Sequence, residues 1–266
     1  MNEPVSEKKF GSLAVLVFSN EDDMGVYAAR EAEKVIGSAI NRRGDARVML
    51  ATGNSQIKFM EQLRDRTGID WARVTVFHMD EYIGIPATHP ASFRRYIKSR
   101  LTDFVKPKAA HFIDGDASDV KAEVRRYSAL LSERPMDLCC MGIGENGHLA
   151  FNDPPASFSD TELLKIVTLT EECRRQQTGE GHFPTIADVP PTAITVTIPA
   201  LLSAVTIFVI APEMRKAEAV RKALVGPIAE SCPASILQRY ANARLLLDND
   251  SASSLPPDDL RMAPGR

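Results

Sequence analysis

Three short segments hold residue types that can seat an anion or move a proton: ATGNSQ at 51–56, HMDEY at 78–82 and GIGENGHLAFNDPP at 142–155. In the first, Thr52, Gly53, Asn54 and Ser55 would gather backbone N–H groups and hydroxyls at the start of a helix, where free amides and the helix dipole favour a phosphate. The same residues also suit an ordinary capped turn, and they match neither the P-loop nor the dinucleotide fingerprint. In the second, Asp80 or Glu81 could serve as a general base if desolvation or a neighbouring charge tuned it. Two solvated capping acids are the plainer alternative. In the third, His148 can exchange protons near neutral pH. Glu145 and Asp153 are candidates to orient it, and Asn146 can donate and accept without changing charge. Gly142, Gly144 and Gly147 let the backbone turn tightly and approach a ligand. A histidine satisfied within its own loop is the alternative here.

Such residues need rigid elements to hold them, and the flanking sequence supplies strands and helices in alternation. The apolar run at 13–18 predicts a strand, and Asn20 with the acids after it can cap a helix over 24–42, where Val26, Ala29, Ala32, Ile36 and Ile40 recur at helical spacing. A strand at 47–51, a helix at 55–66 and a strand at 73–77 follow. Further helices are expected at 89–104 and 120–132, then a buried strand at 137–141. A Thr/Val-rich run at 193–198, a strand at 205–210, a helix at 214–224 and a strand at 243–247 complete the pattern. Alternation of this kind predicts an α/β fold, a three-layer Rossmann-like sandwich with a mostly parallel central sheet. The three polar segments all follow strands, where open parallel sheets bind ligands. Lys216 starts a helix after a strand and could reach an anion there, as could Arg94 and Arg95. No linker composition divides the chain, so one domain over 1–248 is expected, with 249–266 as a surface tail.

Bulk properties narrow the function classes. The 266 residues are 44% hydrophobic and 25% charged, with a net charge of -3, which offers no general attraction to nucleic acid or anionic membrane. No apolar run approaches the roughly 20 residues of a membrane helix, and MNEPVSEKKFGS lacks the pattern of a signal peptide, so a cytoplasmic location is expected. The four cysteines include no CxxC pair and are expected to be reduced thiols. If Cys139 and Cys140 lie in a strand, they point to opposite faces. HExxH spacing and Cys/His pairs are missing, which argues against a metal site, and there is no GxSxG elbow.

Taken together, ATGNSQ, FHMDEYIGIPATHPASF, MGIGENGHLAFNDP and PEMRKAEAV resemble, in order and spacing, the glucosamine-6-phosphate deaminase (isomerase) family over about residues 13–247. The related 6-phosphogluconolactonases carry GDER and GMGxDGHTASLFP at the matching places. The resemblance implies a cofactor-free conversion of a 2-amino-2-deoxyhexose 6-phosphate to a ketose 6-phosphate and ammonia, and suggests a homo-oligomer. It implies that His148, assisted by Asn146 and Asp153, relays the ring-opening proton, and that Asp80 takes the proton from carbon 2. Thr52, Gly53, Asn54 and Ser55 match the phosphate loop, and Lys216 the phosphate-binding lysine. The chain departs from the family at Asp153, where the best-known members carry a glutamate that is longer by one methylene, or about 1.5 Å. It has Asn54 and Ser55 where Gly-Thr is usual, and residues 174–184 lack a match to the substrate-contacting arginine. A sugar-phosphate sensor without chemistry and a lactone hydrolase on the same scaffold are the alternative readings.

Overall fold

The computed structural model describes residues 2–256. Its first elements form a hairpin, β1 (Ser6–Phe10) antiparallel to β2 (Leu13–Phe18). The helix α1 (Glu21–Arg43) starts as soon as Asn20 can cap it: the Asn20 Oδ1 accepts from the Asp23 amide at 2.8 Å. Glu21, Asp22 and Asp23 then fill the first turn, where negative charge suits the helix dipole. Gly44, at a φ of 83°, ends it in the left-handed conformation, which glycine adopts without steric cost. There follow β3 (Ala46–Leu50), a 3₁₀ turn over Asn54–Gln56 leading into α2 (Ile57–Arg64), and β4 (Val74–His78).

Beyond β4 the chain makes the short strand β5 (Asp80–Tyr82). It then forms a broken helix, α3 (Phe93–Ile97), continued through a π turn over Lys98–Thr102 into α4 (Asp103–Val105). The strand β6 (Ala109–His111), the helix α5 (Val120–Ser132) and the strand β7 (Leu138–Met141) come next. After the polar loop lie β8 (Leu164–Thr168), α6 (Glu171–Gly179), β9 (Thr192–Val196) and α7 (Ile198–Leu202). The last elements are β10 (Thr206–Ile210), α8 (Ala217–Val225), β11 (Ala243–Asp248) and α9 (Asn249–Ala252).

Among the described residues these strands make two sheets. The eight-stranded sheet runs β1-β2-β11-β10-β7-β3-β4-β6 and is parallel throughout except for the β1 edge. Alternating side chains feed two cores. Leu16, Phe18, Leu50 and Cys140 pack against α1 and α2, whereas Val15, Val17, Met49 and Cys139 pack on the face covered by α5, α7 and α8. Helices on both faces of a mostly parallel sheet give the expected three layers, and the adjacent cysteines do face opposite ways. The second sheet, β5-β9-β8, is small and antiparallel. The Thr/Val-rich run therefore stiffens a separate layer instead of extending the main sheet. No helix among the described residues is long and apolar enough to cross a membrane.

Two expectations change. Within residues 249–256, placed by sequence in a surface tail, Ser251, Ala252 and Leu255 are buried and the other five are exposed. The Asp248 carboxylate caps α9 by accepting from the Ser251 amide at 2.8 Å, and Ala252 and Leu255 are buried. These two apolar side chains, three apart, lie on one face of a single turn, too short for periodicity to reveal. Residues 257–266 lie outside the described part. Arg94 does not wait for an anion. Its guanidinium, buried in the scaffold, donates to Asp114 (2.6 Å), Asp116 (2.8 Å), the Ile85 carbonyl (2.9 Å) and Glu81 (3.3 Å). Arg95 is exposed and donates to the Thr88 carbonyl at 2.7 Å.

Glu81 is 0% exposed, so removing the Arg94 guanidinium would leave a buried carboxylate without that counter-charge. Arg94→Met is expected to destabilise the protein by about 3 kcal/mol, read as a lower midpoint in urea denaturation.

Candidate active site

The carboxyl ends of β10, β7, β3 and β4 are neighbours in the sheet, and each opens into a polar loop. Thr52, Gly53, Asn54 and Ser55 follow β3, Asp80 follows β4, Gly142 and His148 follow β7, and Arg215 and Lys216 follow β10. All of these line one open pocket. The structure thus brings together seven of the nine residues singled out by sequence; Asn146 and Asp153 stand behind the His148 ring as its partners.

In the segment after β3, Gly53 sits at a φ of 98° and precedes the turn into α2. A side chain would be strained in this conformation. The Tyr96 hydroxyl donates to the Gly53 carbonyl at 2.8 Å and pins the loop from behind. Ser55 lies close under Gly142: a Cβ on that glycine would come within 3.3 Å of Ser55 Oγ. Lys216 is buried in the lining of the same pocket. Burial pushes its pKa down, against the pull of Glu180.

Asp80 and Glu81 are adjacent but face different surroundings. Asp80 lines the pocket, and burial, reinforced by the Glu81 charge, raises its carboxyl well above the usual range. Such a carboxylate is a stronger base than a solvated one. Glu81 points into the scaffold, where it accepts from Ser92 Oγ (2.8 Å) and from the amides of Tyr82 (3.0 Å), Phe93 (3.1 Å) and Arg94 (2.9 Å). Neither acid is a solvated cap. His78, just upstream, accepts from the Ile113 amide at 2.7 Å, and burial with the Arg94 charge lowers its pKa to about 3. It is a neutral part of the core.

The His148 ring rests on Gly144, where an added Cβ would fall 2.1 Å from Cε1; only glycine leaves room for the ring there. His148 Nδ1 lies 2.8 Å from Asn146 Oδ1 and 3.3 Å from Asp153 Oδ1. Two oxygen acceptors around Nδ1 place its proton there and leave Nε2 as the basic nitrogen. Asp153 reaches the ring in spite of its short side chain. Its Oδ1 accepts from Asn146 at 3.2 Å and its Oδ2 from the Thr170 hydroxyl at 2.9 Å. Burial works against the ionised form, yet the hydrogen bonds from His148, Asn146 and Thr170 prevail and hold the carboxyl at about 2. Glu145, the other candidate to orient His148, turns instead toward Arg215, at 3.6 Å.

Sequence reasoning missed the far wall. Gln176, Gln177, Glu180 and His182 all line the pocket, with Phe93 and Phe151. They come from α6 and the turn after it, within the stretch that has no match to the family's arginine. The available signal was GEGH, an acid between two glycines followed by a histidine. Among the described residues, no group of three or more His, Cys, Asp and Glu side chains could hold a metal ion.

A family model described as glucosamine-6-phosphate isomerases/6-phosphogluconolactonase matches residues 19–246. The chain belongs to this family. Among its relatives, the glucosamine-6-phosphate deaminase of Pseudarthrobacter chlorophenolicus is 35% identical over 248 residues, covering 91% of this chain and 93% of that protein. The glucosamine-6-phosphate deaminase of Exiguobacterium sibiricum is 38% identical over 212 residues, 80% of this chain and 82% of its own. The solved structure of a monomeric glucosamine-6-phosphate deaminase superposes with a TM-score of 0.83 at 32% identity, covering 90% of this chain and 99% of that one. A 6-phosphogluconolactonase from Shewanella baltica superposes at 0.76 with 18% identity over 91% of this chain and all of its own, a likeness of fold alone. Family membership and fold are as the motifs implied.

The raised pKa of Asp80 has a cost in stability. Its folded value lies above the unfolded one, so the group costs stability at neutral pH, and that cost fades as pH falls from the folded value toward the unfolded one. Asp80→Asn is expected to stabilise the protein by about 1–2 kcal/mol at pH 7. The gain should shrink as pH falls toward about 4, followed by urea denaturation across a pH series.

Proposed function

We propose that the protein is a glucosamine-6-phosphate deaminase, converting the amino-sugar phosphate and water to a ketose 6-phosphate and ammonia. One observation carries this reading: a desolvated carboxyl, Asp80, and an oriented imidazole, His148, share a pocket whose other end holds the Thr52–Ser55 loop and Lys216. The relatives of 34% to 38% identity that bear the same activity in their names support it.

In this scheme the 6-phosphate is held by the loop amides, the hydroxyls of Thr52 and Ser55, and Lys216. That remote binding positions the reacting carbons. His148 Nε2 accepts the proton of the anomeric hydroxyl and returns it to the ring oxygen, opening the ring. Asp153 and Asn146 stabilise the imidazolium through Nδ1. Asp80 removes the proton from carbon 2 of the open chain, giving an enolamine, and its conjugate acid then protonates carbon 1. Water adds to the resulting ketimine at carbon 2, and ammonia leaves. No step calls for a cofactor. A single catalytic domain over residues 1–248, a cytoplasmic location and a homo-oligomeric state belong to this reading. The four unpaired cysteines agree with a reducing compartment, and the oligomer rests on family likeness.

The purified protein is expected to release ammonia from glucosamine 6-phosphate and to leave 6-phosphogluconolactone unhydrolysed. Asp80→Asn should lower kcat by about 10²–10⁴-fold while retaining sugar-phosphate binding in a thermal-shift titration. His148→Gln should fall in the same range. Normal turnover by Asp80→Asn would show that another group is the base.

A further inference from the structure

Glu180 stands where a ligand's anion would bind. Its carboxylate lies 3.6 Å from Lys216 Nζ and 3.5 Å from the Arg215 guanidinium, accepts from Gln176 Nε2 at 2.9 Å, and meets His182 Nε2 at 3.2 Å. It also faces the loop after β3: a Cβ on Gly53 would come within 3.9 Å of Glu180 Oε2, and the Asn54 amide group donates to the Glu180 carbonyl at 3.3 Å. One acid therefore touches both cations of the pocket and looks onto the glycine of the loop.

Both cations at this corner already have carboxylate partners without a ligand. Arg215 also meets Glu213 at 2.8 Å and Glu145 at 3.6 Å. The side chains of Lys216 and Glu180 are 4% and 8% exposed, so water and salt screen their interaction weakly. A phosphate dianion brought to Thr52–Ser55 and Lys216 would meet the Glu180 carboxylate at near contact, a repulsion too large to coexist with tight binding.

We propose that Glu180 is a built-in counter-anion of the phosphate seat: it holds the place on Lys216 and Arg215 while the seat is empty, and the substrate's phosphate displaces it. This rests on the seat being a phosphate site, as read above. Two consequences follow for selectivity. The affinity for a phosphorylated ligand is a difference, its own attraction to the two cations less that of Glu180. A sugar without the phosphate has nothing to exchange for the carboxylate, so the acid selects against it.

Calorimetric titration of inorganic phosphate into the wild type, Glu180→Gln and Lys216→Met tests the idea. Glu180→Gln is expected to bind phosphate at least about tenfold more tightly than the wild type and to show a lower KM for glucosamine 6-phosphate; Lys216→Met should lose phosphate binding. Unchanged or weaker binding by Glu180→Gln, with binding still lost in Lys216→Met, overturns the counter-anion and leaves the phosphate seat standing. Absence of binding in both the wild type and Glu180→Gln overturns the seat itself. Hydrogen exchange on the unmutated protein gives a second readout. Saturating phosphate should speed amide exchange across residues 176–182 as Glu180 is released; slowed or unchanged exchange there would mean that phosphate binds beside a seated Glu180, contrary to the proposal.

Discussion

The pairing of β5 with β9 decides which of two adjacent acids meets the pocket. Asp80 pairs with Thr195, Glu81 with Ile194 and Tyr82 with Ala193. Successive side chains in a strand point to opposite faces, so Asp80 goes to the pocket and Glu81 to the scaffold. A slip of one residue would exchange them. The Glu81 carboxylate then accepts from Ser92 and the first amides of α3, which sets Phe93 in the pocket wall, and Arg94 ties the same acid to Asp114 and Asp116. Tyr82 returns to the Asp80 side and packs among Phe93, Phe151 and Phe183. The desolvation of Asp80 is thus a consequence of sheet register.

The helix α6 connects the two ends of the pocket. At its start, the Thr170 hydroxyl caps the helix by accepting from the Cys173 amide at 3.1 Å and also donates to Asp153. Further along, Gln177 accepts from the Tyr82 hydroxyl and Gln176 from the Glu145 amide at 3.3 Å. Past its end, Glu180 meets Arg215 and Lys216. The hydrogen bonds to Asp153, Tyr82 and Glu145 and the carboxylate beside Lys216 all come from one nine-residue helix and the two residues that cap it. Its own surface is polar, with Cys173 and Gln177 its buried side chains, so packing energy holds it less firmly than side-chain hydrogen bonds do. Elements held in this way open at lower free energy than the core.

Much of this was legible in the sequence. The helix expected at 120–132 is α5 to the residue, because its apolar spacing and the cap at Asp119 agree. The strands of the main sheet shift by a residue or so, since a wholly apolar run says little about where pairing stops. The edge strands β1 and β6 and the small-sheet strands β5 and β8 were not legible: each is short, and their mixed charged and apolar residues fit a loop as well as a half-buried strand. Arg94 misled for a related reason. Nothing local announces that Asp114 and Asp116, some twenty residues on, will surround its guanidinium.

By itself the sequence determined the layered α/β fold, the polar strand-end loops, and seven residues that do line the pocket, because strand periodicity and polar strand-end loops are local properties of the chain. Only the tertiary structure decided that Glu81 turns into the scaffold onto Arg94, that the shorter Asp153 still reaches His148 with Thr170 on its other oxygen, and that Glu180 lies on Lys216. Each of these is a distance between segments far apart in the chain. Such distances are set by sheet register and helix docking, which no single stretch of sequence contains.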